Sequence, residues 1–407
     1  MTCSRPGAAS RNVGDDVAVT FDRDILAPDD PSSPDEDTHL ASRASRRSVT
    51  LGVSLLVTAL LAAVLLVLPT PYAIRAPGPT EDTLGLQGAD VQGGAGETSS
   101  GGKSATALPV VEIDGAKTYD VTGELRLTTV SVYGGPGGDV LLGDVLWGWG
   151  SRERSVQPVE AIFPEQTTRQ QQQEVGQAQM AGSESAATVA ALTELGYEVP
   201  ATLTVAGVAP GSGAEDVVEA GDVVRSIDGH AVTTHQDLLA SLDDVDPGDD
   251  VVLGVERDGE AQDLTVTTAE GDGRAALGVY LDPVYDYPVD VTIRPGDIGG
   301  PSAGTMFALA IITKMTPEDE LDGAHVAGTG TMSVDGKVGP IGGIQQKLFG
   351  AVDDGADWFL APADNCDEVV GHVPDGLHVA RVATIDDARA AIEAIGAGEG
   401  ADLPTCS

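Results

Sequence analysis

Two short stretches carry residues whose types and spacing point to chemistry. Ser302 stands between Gly300-Pro301 and Ala303-Gly304, directly ahead of an apolar run at 306–312 of helical character. A serine at a helix N-terminus has backbone N–H groups pointing past it, where an oxyanion would sit. Further on, the turn Pro340-Ile341-Gly342-Gly343 opens an amphipathic segment that holds Lys347. A lysine on an apolar helix face is readily desolvated, and desolvation lowers its pKa toward general-base range. Each residue alone has a plainer reading, a helix-capping serine and a surface lysine snorkelling along an amphipathic helix. Together they point to a Ser-Lys hydrolase acting by acyl transfer. The rival arrangement is a Ser-His-Asp triad. Of the six histidines, His39, His230, His235, His325, His372 and His378, none lies in a recognisable triad motif.

The stretches Gly300-Pro301-Ser302-Ala303-Gly304 and Pro340-Ile341-Gly342-Gly343-Ile344-Gln345-Gln346-Lys347 resemble the two signature blocks of the Lon protease proteolytic domain, and their key residues stand 45 apart. The resemblance implies Ser302 as nucleophile and Lys347 as general base. Ala327-Gly328-Thr329-Gly330 is similar to the strand-end Thr-Gly of that domain and implies a supporting role for Thr329, beside Gly300 and Ala303. Most Lon enzymes carry an acidic residue three before the serine; here that position is Gly299, and Asp297 takes no role. Residues 196–270 resemble a bacterial protease-type PDZ domain through Val208-Ala209-Pro210, Ala220-Gly221-Asp222, Ile227-Asp228-Gly229 and a helix around 235–242. PDZ domains bind extended peptide C-termini by strand addition; the nearest carboxylate-binding loop is Leu195-Gly196-Tyr197.

The elements that must position these residues follow from the rest of the chain. Residues 1–47 are polar and acidic and read as a disordered tail ending in Arg43, Arg46 and Arg47. An uncharged segment follows, taken as a transmembrane helix over 48–70, whose 49–68 portion spans roughly 30 Å as a helix. The arginines precede it, so the tail is expected in the cytoplasm and everything beyond outside. Residues 71–195 read as an extracytoplasmic linker with a β and helical region, including one or two surface helices over 166–195. Glu124-Leu125-Arg126-Leu127 and the alternating residues after it resemble the first strands of a Lon proteolytic domain, which leaves open that the PDZ-like module is inserted into it. The proteolytic domain proper is expected over 284–400, with strands at 288–293, 357–362 and 378–382 and a helix over 385–395 opened by Thr384.

Composition bounds the partners. A net charge of −42 argues against nucleic acid, which needs a basic footprint. Gly101-Gly102-Lys103-Ser104 fails as a phosphate loop, because its first glycine position holds Glu97. With no other Walker-type sequence, no ATPase motor is expected. No cofactor and no metal are implied. The three cysteines, Cys3, Cys366 and Cys406, form no C-x-x-C pair, and Cys366 with Cys406 is a candidate bridge if that part lies outside the cell. The expected fold is therefore an α/β (α+β) Lon-type proteolytic domain plus a small PDZ-like partly open β-barrel, behind one N-terminal transmembrane helix. The expected function is a membrane-anchored, ATP-independent serine endopeptidase acting on polypeptides, whose C-termini the PDZ-like module would recruit. Lon-type domains assemble into rings, so the resemblance implies a homo-oligomer. The alternative is a catalytically silent membrane-anchored scaffold.

Overall fold

The computed structural model describes residues 46–87, 108–163, 168–271, 273–296 and 298–406. Residues 1–45 of the expected tail, the segment around Gly101, and Asp297 lie outside the described residues. Helix α1 (Arg46–Leu66) is apolar and exposed all round, and its Val49–Leu66 portion is long and apolar enough to cross a membrane.

From Leu60 onward the chain forms one compact unit. Its main sheet contains strands β1 (Tyr72–Asp82), β3 (Glu124–Tyr133), β4 (Ser155–Pro158), β11 (His325–Gly328), β12 (Trp358–Pro362) and β13 (His378–Val382). Their order is β13-β12-β11-β3-β1-β4, parallel from β13 to β3 and antiparallel beyond. Residues 72–158 thus supply half of this sheet rather than a linker ahead of it. The pairing was hidden because β3 meets β11 some 200 residues away, as in the Thr128 Oγ1 bond to the Gly328 carbonyl. A parallel partner that distant leaves no local turn signature.

Parallel strands are covered on both faces, so their residues are apolar in both directions. In β12, Leu360 packs into one core while Phe359 and Ala361 pack into the other. On the first face lie α3 (Arg169–Glu194), α5 (Gly304–Met315) and α7 (Ile385–Gly396). Helix α5 is buried from Gly304 to Thr313, which explains a run without a polar face. On the second face lies α6 (Ile344–Asp353), against β1 and β3. Thr384 caps α7 by accepting the Asp387 N–H at 3.1 Å, while the Asp387 carboxylate takes the N–H of Ala383.

Within the expected 166–195 region, residues 169–194 form one helix, and only its first half is a surface helix. Residues 187–192 are all buried, and Ala187, Ala190 and Ala191 join the core shared with α5, because this half must cover the sheet. The helix then stops at a left-handed Gly196 (φ 82°), with Gly196 N–H bonded to Thr193 and Tyr197 N–H to Leu192. This is a Schellman-type helix stop. Leu195-Gly196-Tyr197 is therefore a helix cap, not a loop opening a peptide-binding strand.

Strands β5 (Ala201–Val208), β6 (Val223–Ile227), β7 (Asp250–Arg257), β8 (Glu260–Thr267) and β9 (Val279–Tyr285) form a second sheet in the order β8-β7-β6-β5-β9. Helix α4 (His235–Asp243) closes its core through Leu238 and Leu242. The tight turn after β6 uses Asp228 (φ 47°) and Gly229 (φ 79°), the left-handed pair that a two-residue hairpin requires. The chain enters this unit from α3 and returns through β10 (Asp290–Ile293), which pairs with β2 (Val111–Asp114) beside the main sheet. Entry and exit meet in a small core of Val189, Leu192, Val199 and Val289.

The Cys366–Cys406 disulfide, with Cα atoms 4.9 Å apart, ties the C-terminal segment to the sheet, where Arg381 N–H also bonds the Pro404 carbonyl. Closing a loop with a sequence separation of 40 is expected to contribute about 2–4 kcal/mol. Denaturant unfolding of Cys366→Ala/Cys406→Ala should show that loss, and unchanged stability would refute it.

Candidate active site

Gly300 adopts φ 95°, a conformation that disfavours any side chain, and turns the chain into Pro301-Ser302. Helix α5 begins two residues after Ser302, with buried Ala303 at its N-cap. The serine therefore precedes the helix in a turn, and its own side chain makes no cap. The turn is held from two sides. The Ser302 carbonyl accepts the Gly330 N–H and the Thr329 hydroxyl, both at 2.9 Å. On the other side, the Ser183 hydroxyl of α3 donates to the Pro301 carbonyl at 3.1 Å, and the Gly300 N–H donates to the Gly176 carbonyl at 3.0 Å. Gly176 and Gly299 face each other at this approach, where a Cβ at 299 would meet the Gly176 backbone in ordinary van der Waals contact.

Lys347 lies in the first turn of α6, whose N-cap Gly343 is left-handed at φ 75°. A Cβ at Gly343 would stand 2.8 Å from Val130 Cγ2, so this glycine is what lets α6 start against β3. The Lys347 side chain is only 2% exposed. Its Nζ lies 2.8 Å from Ser302 Oγ and 2.7 Å from Thr329 Oγ1. Burial without a carboxylate partner pushes its pKa down from 10.5 to about 7. A neutral amine has one lone pair and two N–H groups. Donating to Thr329 Oγ1 and turning its lone pair to the Ser302 hydroxyl satisfies both contacts, while the Thr329 hydroxyl donates onward to the Ser302 carbonyl.

These atoms open on a cleft of about 410 Å³, lined by residues 127–131 of β3 together with Ile298, Gly299, Ala303 and Gly342. Pairing between β3 and β11 ends at Leu127 and Gly328. Beyond that point β3 presents an edge with no strand partner among the described residues, and Thr129, Val130 and Ser131 line the cleft. Among the described residues the N–H groups of Ser302 and Ala303 have no acceptor.

The structure brings Ser302, Lys347 and Thr329 into contact, with Gly300 and Ala303 shaping the turn. No described histidine bonds to Ser302: His325 lies 3.7 Å from Glu124, His378 stacks on Trp358, and His372 faces the Val370 carbonyl. The supports from α3, Gly176 and Ser183, were not foreseen. A Gln- and Ala-rich helix far upstream carries no pattern that announces a serine loop as its neighbour.

Residues 286–393 match the family model of the Lon protease (S16) C-terminal proteolytic domain, and residues 178–268 match that of the PDZ domain. Lon protease 1 of Sorangium cellulosum is 34% identical over 121 residues, covering 28% of this chain and 15% of that protein. The Lon protease of Haemophilus influenzae is 38% identical over 127 residues, 30% of this chain and 15% of that protein. The matched region thus spans about 15% of the length of these relatives. Among solved structures, the PDZ domain of an SdrC-like protein from Listeria monocytogenes is 23% identical, covers 20% of this chain and 86% of that chain, and has a TM-score of 0.19. At that score the structural likeness carries no weight here.

Proposed function

We propose, for a chain that carries a Lon-type proteolytic domain and a PDZ domain, that it is a membrane-anchored, ATP-independent serine endopeptidase. The observation that carries the proposal is the buried Lys347 amine 2.8 Å from Ser302 Oγ. Neutral Lys347 takes the Ser302 proton as Oγ attacks a peptide carbonyl. The oxyanion is met by the free N–H groups of Ser302 and Ala303. The lysine then returns the proton to the leaving amine, and water hydrolyses the acyl-enzyme by the same route. Thr329 orients the amine. The unpaired edge of β3 supports an extended polypeptide substrate laid along the cleft by strand addition.

The PDZ domain is proposed to recruit or gate substrates. Its edge strand β9 follows Leu277-Gly278 and exposes Tyr280 and Val284, which suits an added peptide strand. The domain also touches the segment between Thr329 and Lys347: Gln236 of α4 donates to the Val334 carbonyl at 3.2 Å, and Arg274 pairs with Asp335 at 3.3 Å. Helix α1 is proposed as the anchor, with its N-terminal arginines in the cytoplasm. The disulfide supports an oxidising compartment for the rest. The absence of a Walker-type sequence from these 407 residues supports independence from ATP.

The test is cleavage of an unfolded protein by the full chain in detergent without nucleotide, beside Ser302→Ala and Lys347→Ala. Fragments from the parent and from neither variant are expected. Equal cleavage by all three would house the activity elsewhere, and a parent inert in lipid as well as detergent would favour the scaffold reading.

A further inference from the structure

Helix α2 (Leu142–Gly150), which follows β3, has the sequence LGDVLWGWG. It packs on the main sheet through Val145 and Gly148, and a Cβ at Gly148 would stand 2.7 Å from Val156. Three large apolar side chains stay mostly exposed: Leu146, Trp147 and Trp149 are 51%, 69% and 60% exposed. Two of the three tryptophans in the chain are therefore spent on nine residues of surface helix. At about 100° per residue, Leu146 stands between Trp149 and Trp147 on the exposed side, and Asp144 falls beyond Trp147, away from Leu146.

The position of α2 is fixed by the end of α1. The Leu142 N–H bonds the Leu68 carbonyl at 2.9 Å, and Pro69 and Thr70 pair antiparallel with Leu141 and Val140. Gly143 abuts the carbonyl of Leu66, the last residue of α1. Whatever depth the chain occupies as it leaves α1, α2 occupies it too. Just past α2, Arg152 and Arg154 line a cavity of about 490 Å³ that Asp375 also lines, and among the described residues neither forms an ion pair, in a chain of net charge −42.

We propose that α2 lies in the headgroup region of the bilayer, with Leu146, Trp147 and Trp149 inserted and Arg152 and Arg154 facing lipid phosphates. This rests on the reading of α1 as a membrane span. Tryptophan favours such a boundary because its ring is apolar and its N–H needs a polar partner. The two arginines supply the attraction to anionic lipid that the acidic body lacks. The consequence is a fixed standoff. Tyr72, whose ring meets Trp149 edge-on at 6.0 Å, and Pro79, which lines the cleft, lie on the same strand, β1. Their separation is about 20–25 Å at strand rise, so the cleft would be within reach of short segments emerging from the same bilayer.

The experiment reconstitutes the full chain into phosphatidylcholine–phosphatidylglycerol vesicles and compares it with Trp147→Ser/Trp149→Ser. Tryptophan emission is read with phosphatidylcholine brominated in the upper acyl chain, and separately with acrylamide in the water phase. Most of the parent emission is expected to be lost to the brominated lipid and little to acrylamide. The variant should keep a Trp358 signal insensitive to bromine. Quenching by acrylamide instead would place the ring pair in water and overturn the proposal. Emission protected from both quenchers would mean that a second copy of the chain covers α2, and would overturn it as well. Alkaline carbonate washing separates the two readings: a chain retained by the vesicles with unquenched tryptophans refutes the α2 proposal alone, whereas a chain that washes off refutes the anchor and with it this proposal.

Discussion

Cleavage is expected to fall about a hundredfold between pH 8 and pH 5, because Lys347 titrates near 7. Only the neutral amine has a lone pair for the Ser302 proton. Above pH 7 that form dominates and the rate is flat; below pH 7 each unit removes about nine-tenths of it. The cause is burial, since Lys347, 2% exposed, has hydroxyl neighbours at Nζ and no carboxylate partner among the described residues to stabilise its charge. The measurement is kcat/KM on an unfolded protein or peptide from pH 5 to 9. A profile that stays level down to pH 5 would remove Lys347 from the role of base.

Lys347→Met is expected to abolish cleavage and yet raise stability by a few kcal/mol at neutral pH. The unfolded chain holds the Lys347 proton up to about 10.5, whereas the folded chain releases it near 7. Between these values the unfolded state binds more protons, so parent stability rises with pH across that window. Below pH 7 the folded parent carries the full cost of a buried ammonium, on the order of 1.4 kcal/mol per unit of pKa shift. Methionine has similar length and no charge, so it removes that cost at the loss of two hydrogen bonds. The gain should be largest at and below pH 7 and shrink as pH rises toward 10. Denaturant midpoints for both proteins from pH 6 to 9 test this; a variant less stable than the parent at pH 6 would contradict it. Together the two experiments separate a lysine kept for chemistry from one kept for structure.

Much of the site is visible in the primary structure because its parts are local. Glycines at 300 and 343 mark left-handed turns, and the apolar run after Ala303 marks a helix without a solvent face. The spacing of Ser302, Thr329 and Lys347 within a recognisable domain marks the reactive groups. The PDZ unit is legible for the same reason, since turns such as Asp228-Gly229 are short-range signals. Helix α3 and strand β1 were not legible as parts of the same body, and β3 was tied to it by resemblance alone. Their patterns state that a helix or strand forms, but not what it packs against.

What the chain determined alone were residue types, turn geometry and the periodicity of each element, all set by sterics within a few residues. Tertiary structure decided three further things. It buried Lys347, and its pKa depends on that environment rather than on the side chain itself. It set α3 against the Ser302 turn through Gly176 and Ser183. It joined β3 to β11 across the whole PDZ unit and the elements on either side of it. Each depends on contacts between distant segments, which are selected by the total surface they bury and leave no local mark in the residues that make them.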